Sequence, residues 1–124
     1  MIYLDTHIVV WLYAGLTDKF GAQTRDLMDA QDILISPVVI LELQYLFDID
    51  RIRHRPHIII SDLSGRIGLK ICNKSFHSII LKSLELTWTR DPFDRIIVAN
   101  AALNNDFLIS KDNTIIANYA KTLC

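Results

Sequence analysis

Ile2-Tyr3-Leu4-Asp5-Thr6-His7-Ile8-Val9-Val10-Trp11-Leu12-Tyr13-Ala14-Gly15 decides the fold class. Residues 2–4 are apolar without alternation, as in a strand covered on both faces, and Asp5 stops the run. A helical apolar stretch follows at once, from about Ile8 to Tyr13, and Ala14-Gly15 ends it. A buried strand feeding straight into a helix is the opening half of a crossover unit, the building block of parallel sheets.

The rest of the chain repeats this alternation. Thr17 is placed to cap a helix over 18–30, Ile33-Leu34-Ile35 reads as a second strand, and Ser36-Pro37 opens a helix over 37–48. The run Arg51-Ile52-Arg53-His54-Arg55-Pro56-His57 is basic, and a helix is expected from Ser61 to about Gly68. Leu69–Cys72 is a third strand, residues 75–86 an amphipathic helix, and 92–105 another helix opened by Asp91-Pro92. Phe107–Ile109 is a fourth strand, 113–120 a last helix, and Thr122–Cys124 the stub of a fifth strand. The expected architecture is therefore α/β: a central parallel sheet of four to five strands, covered by helices on both faces. At 124 residues the chain, 1–124, fits a single domain.

Composition narrows the function classes. Half of the residues (51%) are hydrophobic, the formal net charge is -1, and no apolar run reaches membrane-spanning length. A near-neutral chain has no global attraction for a polyanion, so a nucleic-acid partner would need a local patch or a bound cation. The basic run at 51–57 could supply such a patch, although a solvated loop explains it as well. Two distant cysteines, Cys72 and Cys124, have no metal-ligand spacing and suit a reducing compartment. These features predict a soluble cytoplasmic protein.

Four carboxylates stand where carboxylates are expensive. Asp5 ends the first strand, Glu42 interrupts Val38-Val39-Ile40-Leu41 and Leu43, Asp94 precedes Ile96-Ile97-Val98-Ala99, and Asp112 closes Phe107-Leu108-Ile109-Ser110. A buried, unpaired carboxylate costs several kcal/mol unless it coordinates a cation. Each has a bland explanation too. Asp5, Asp91 and Asp112 fit helix N-caps, Asp94 sits at the third position of its helix where an acid is favoured, and Glu42 could lie on a surface stripe with Gln44 or Asp48. Glu42 has the weakest such excuse, because its helix is apolar nearly all round and it lies beyond the first turn. In that helix Tyr45, Leu46 and Phe47 are expected to be buried, with a partner-facing role as the alternative.

Parallel-sheet topology gives these acids a common address, since ligands bind beyond the carboxyl ends of the strands, where Asp5 and Asp112 fall. Oxygen ligands without accompanying His or Cys favour a hard cation, Mg2+ or Mn2+, of the kind that serves phosphoryl transfer or phosphodiester hydrolysis.

Four blocks, taken together and in order, resemble a known family. They are Leu4-Asp5-Thr6-His7 with Trp11-Leu12, Ser36-Pro37-Val38 with Glu42-Leu43, Arg90-Asp91-Pro92-Phe93-Asp94-Arg95 with Ala99, and Leu108-Ile109-Ser110-Lys111-Asp112. These look like the signature blocks of PIN domains, and most like the VapC-type ribonuclease toxins of bacterial toxin–antitoxin pairs. The resemblance spans residues 3 to about 119. It implies an α/β/α sandwich and a Mg2+- or Mn2+-dependent endoribonuclease, with Asp5, Glu42, Asp94 and Asp112 as catalytic metal ligands. It also implies an RNA substrate, a cognate antitoxin and a homodimer. By the same analogy Thr6 and Ser110 orient carboxylates or metal-bound water, and Asp91 is an outer acid.

Two other readings compete. A phosphatase or phosphotransferase using Asp5 as nucleophile wants a second acid two residues on, where this chain has His7. A catalytically idle binding module of receiver type wants an acid after the third strand, which instead ends in Asn73-Lys74.

Overall fold

In a computed structural model that describes residues 1–124, Ile2–Leu4 forms β1, the middle strand of a five-stranded parallel sheet. β2 (Ile33–Ile35), β3 (Lys70–Ile71), β4 (Phe107–Ile109) and β5 (Thr122–Leu123) complete it in the order β3-β2-β1-β4-β5. Every neighbouring pair is parallel. All residues of β1 and β2 are buried, which requires helices on both faces and gives the three-layer α/β/α sandwich. A single core cluster of 22 buried residues runs through the sheet and its covering helices.

The strand order places the site. From β1 the chain steps outward through β2 to β3, and β4 and β5 add on the opposite side of β1. The carboxyl ends of β1 and β4 therefore flank the point where strand order reverses, the usual crevice of an open parallel sheet. Leu4 and Ile109 are register partners, so Asp5 and Ser110 are the first residues beyond the paired ends.

Seven α-helices connect the strands: α1 (Thr6–Tyr13), α2 (Ala22–Ala30), α3 (Pro37–Asp48), α4 (Pro56–Ile67), α5 (Phe76–Ser83), α6 (Pro92–Ala102) and α7 (Asn113–Asn118). Local chemistry explains most starts. Asp5, Ser36, Ser75, Asp91 and Asp112 each cap a helix by accepting a backbone N–H, and Pro37, Pro56 and Pro92 supply the preset backbone angle of a first turn.

Three expectations change. The helix expected over 18–30 is split: Thr17–Lys19 is a 3-10 turn, Phe20 is extended and buried, and α2 starts only after Gly21. Burying Phe20 against Trp11, at 5.9 Å between rings, outweighs continuing the helix. The N-terminus of α2 is instead tied to the final strand, where the main-chain oxygen of Cys124 accepts from Gly21 N (3.1 Å) and Thr24 Oγ1 (2.6 Å).

The helix expected from Ser61 starts five residues earlier, at Pro56, because Arg55 takes the extended conformation that a following proline demands. The left-handed Gly68 (φ +70°) ends it.

Finally, α3 is not buried all round. Val39 and Leu43 are its only fully buried residues, Leu46 and Phe47 are half-buried, and Leu41 and Tyr45 are 60% and 52% exposed.

Candidate functional site

Asp5 is the fixed point of the site. It is 5% exposed, and both of its oxygens are engaged: Oδ1 accepts from Thr6 N at 2.8 Å and Oδ2 from the Ser110 hydroxyl at 2.7 Å. Ser110 Oγ in turn accepts from Asp112 N at 3.0 Å, so the β4–α7 loop is folded around the Asp5 carboxylate. Burial pushes the Asp5 carboxyl up from its ordinary value. The bonds from Ser110 and Thr6 and the neighbouring His7 work against that rise, and Asp112 adds to it.

Thr6, fully buried, bridges α1 to α3 by donating its hydroxyl to Glu42 Oε1. This contact explains why an acid interrupts the apolar sequence of α3. Burial raises the Glu42 carboxyl, the Thr6 hydrogen bond opposes that, and Asp5 and Asp91 reinforce it.

Asp91 and Asp112 act as caps and still face the site. Asp91 Oδ1 accepts from Phe93 N (2.9 Å) and Asp94 N (3.3 Å), and Asp112 Oδ1 accepts from Thr114 N (2.8 Å) and Ile115 N (3.1 Å). Each cap uses one oxygen and leaves the other without a protein donor, so capping and cation binding do not compete here.

Asp94 differs from all of them. Neither of its oxygens meets a protein donor. Burial, followed by the charges of Asp91, Asp5, Asp112 and Glu42, pushes its carboxyl up to about 7.

These side chains converge on one cleft of about 200 Å3, lined by Asp5, His7, Glu42, Asp91, Asp94, Lys111 and Asp112 and by no apolar residue. The structure thus brings together Asp5, Glu42, Asp94 and Asp112, with Asp91 on the same wall and Thr6 and Ser110 behind Asp5 and Glu42. The basic run is elsewhere. None of residues 51–57 lines the cleft; Arg55 lies over the Phe47 ring and His54 Nδ1 is 3.0 Å from the Tyr13 hydroxyl.

His7 and Lys111 are the cleft residues that sequence reasoning left without a role. Their signal is adjacency: His7, in the first turn of α1, is two positions after Asp5, and Lys111, in the β4–α7 loop, directly precedes Asp112.

Five carboxylates, none ion-paired to a Lys or Arg, make a site of negative potential. As the side chains stand, no three of them close tightly enough to grip an ion. The donor chemistry nevertheless fits a hard divalent cation: all oxygen, several oxygens unengaged, and one carboxyl held near neutrality by its neighbours.

The sequence model of the PIN domain matches residues 2–121. No relative of curated function matches the chain. Among solved structures, the fold is similar to a chain of VapBC2 from Rickettsia felis bound to a DNA fragment from its promoter, with TM-score 0.70, 21% identity, and 99% of this chain and 96% of that one covered. It is likewise similar to a chain of a toxin–antitoxin complex from Klebsiella pneumoniae, with TM-score 0.68, 20% identity, and 100% and 97% covered. A chain of DNA-bound VapBC from Salmonella typhimurium gives TM-score 0.65 at 13% identity, with 98% and 94% covered.

Proposed function

Since the chain belongs to the PIN domain family, we propose that its acidic cleft is the active centre of a Mg2+- or Mn2+-dependent endoribonuclease, the toxin of a toxin–antitoxin pair. The observation that carries this reading is the gathering of five carboxylates in one cleft without a salt-bridging Lys or Arg. Mutual repulsion of that kind is stable in a working protein when a cation relieves it.

Asp5, Glu42, Asp94 and Asp112 would hold the ion, with Asp91 as an outer acid. Asp94, free on both oxygens, and Glu42 and Asp112, each with one oxygen unengaged, are the groups able to turn onto it. The cation would supply an activated water and neutralise charge on the phosphate.

The chain's own residues do the rest. Ser110 and the Thr6 amide lock the Asp5 carboxylate in one orientation, and the Thr6 hydroxyl does the same for Glu42. Asp94 must give up the proton it retains near neutral pH before it can serve as a ligand. Attack on phosphorus with departure of the 3′ oxygen leaves a 5′-phosphate, and no side-chain nucleophile is needed.

The solved complexes with similar chains are toxin–antitoxin assemblies, which supports a cognate antitoxin as partner. The exposed apolar Leu41 and Tyr45 of α3 are surface that a second copy in a homodimer, or the antitoxin, would cover. We further propose a single domain over 1–124 that works in the cytoplasm beside its RNA substrate; separately, no helix is long and apolar enough to cross a membrane.

A phosphotransferase reading centred on Asp5 is disfavoured because that carboxylate is buried with both oxygens bonded, a poor nucleophile.

The test is incubation of the purified chain with total RNA in Mg2+ or Mn2+, with and without chelator. Discrete fragments that vanish on chelation are expected, and Asp5→Asn and Asp94→Asn should each abolish them while circular dichroism stays native. Metal-independent cleavage, or full activity in both variants, would reject the proposal.

A further inference from the structure

Lys111 lines a cleft of five carboxylates and sits next to Asp112 in sequence, yet its ammonium is ion-paired to none of them. It lies instead over the indole of Trp11, 5.3 Å from the ring centroid. Lys19 shares the same indole at 5.0 Å. A lysine this close to opposite charges would ordinarily swing to the nearest one. Seating on an aromatic face holds it back. Both lysines are exposed, and Trp11 is half-buried with the Phe20 ring packed beside it at 5.9 Å.

Position along α1 gives this cluster a direction. His7 lines the cleft, and Trp11 lies one turn further along the same helix face. From the carboxylates outward the order is His7 and Lys111 at the rim, then Trp11, then Lys19 on the 3-10 turn. The path carries two cations not ion-paired to any carboxylate, in a chain whose overall charge offers a polyanion no attraction.

The geometry points to Lys111, held on Trp11, as the residue that anchors a backbone phosphate of single-stranded RNA at the cleft, with Lys19 taking a further phosphate along the same strand. This rests on the endoribonuclease reading and adds to it the side from which the strand enters. The acidic pocket repels phosphate until its cation is bound, so a positive group beside it is what allows a strand to be held at the rim. Trp11 acts here as a positioning residue, keeping the Lys111 ammonium out of an ion pair with Asp112. The phosphate contact is indifferent to base identity, so it sets affinity and register and leaves sequence choice to other residues.

The experiment measures binding separately from cleavage. Fluorescently labelled single-stranded RNA is titrated with Asp94→Asn chain in Mg2+ over a series of KCl concentrations, and again with Lys111→Ala, Lys111→Arg or Lys19→Ala added. Removing one phosphate contact should weaken binding roughly five- to tenfold and lower the slope of log Kd against log salt by about 0.7. Lys111→Arg should restore both. In chain with Asp94 intact, Lys111→Ala should raise KM with kcat nearly unchanged. An unaltered salt slope in Lys111→Ala overturns the proposal, as does a loss confined to kcat. If wild-type chain fails to cleave RNA yet binds it with a Lys111-dependent slope, the nuclease reading falls and the phosphate anchor stands. If no RNA binds, both fall.

Discussion

The Ser110 hydroxyl donates a 2.7 Å hydrogen bond to Asp5 Oδ2, joining residues 105 positions apart across the adjacent ends of β1 and β4. It is one of only two donors that the buried Asp5 carboxylate has, the other being the Thr6 amide. Ser110→Ala leaves a buried carboxylate oxygen unpaired, at about 1–3 kcal/mol. Urea unfolding at neutral pH should show that loss, and the acid limb of the cleavage profile should move to higher pH, because this bond opposes the rise in the Asp5 pKa. Wild-type stability in Ser110→Ala would mean the bond contributes nothing net.

Asp94 makes the metal-free protein sensitive to pH in a defined direction. Its carboxyl rises from 3.8 in the unfolded chain to about 7 in the fold. The native state therefore binds the proton more tightly. The resulting stabilisation is complete below about pH 4 and is lost progressively as pH rises through about 7. Asp5 and Glu42, also raised, add in the same sense. With chelator present, melting temperature should fall between about pH 4 and pH 7, and Asp94→Asn should flatten part of that fall and exceed wild type at neutral pH. Added Mg2+ should raise the wild-type melting temperature above neutrality and have little effect near pH 5, where Asp94 keeps its proton. A Mg2+ shift of equal size at both pH values would contradict this assignment.

Asp91 can be separated into cap and charge. Asparagine caps as well as aspartate, whereas alanine costs about 1 kcal/mol. Asp91→Asn should keep native stability and Asp91→Ala should lose it, as read by thermal unfolding. Asp91 is also the foremost of the carboxylates that raise Asp94, so Asp91→Asn should shift the acid limb of the activity profile toward lower pH. Loss of cleavage at every pH in Asp91→Asn would instead make Asp91 a ligand.

How far these residues are legible in sequence depends on how local their causes are. Asp5, Asp91 and Asp112 are found because capping is written in neighbouring positions, and their gathering follows from strand-end topology. Glu42 stands out as an acid inside an apolar helix, but its cause, the hydroxyl of Thr6 on another helix, is 36 residues away and has no local signature. The break at Gly21 lacks a local signature for the same reason: what wins there is the burial of Phe20 and the tie to Cys124, both tertiary. The early start of α4 had a local signal in Pro56, and the charge of the surrounding run obscured it. Lys111 has a local signal in its adjacency to Asp112, but its seat on the Trp11 ring in place of an ion pair is tertiary and has none.

The Thr6–Glu42 contact yields the sharpest test of an orienting role. Thr6→Val keeps a buried, β-branched side chain and deletes only the hydroxyl that donates to Glu42. Glu42 then loses the hydrogen bond that holds its pKa down, so it binds a proton more readily and points less firmly into the cleft. Removing such a supporting contact typically weakens metal binding about 10–100-fold. The Mg2+ concentration for half-maximal cleavage by Thr6→Val should rise by that order, saturating Mg2+ should recover most of the rate, and Thr6→Ser should behave as wild type. A rate deficit that saturating metal cannot recover would show that the hydroxyl acts in the chemical step and not through Glu42.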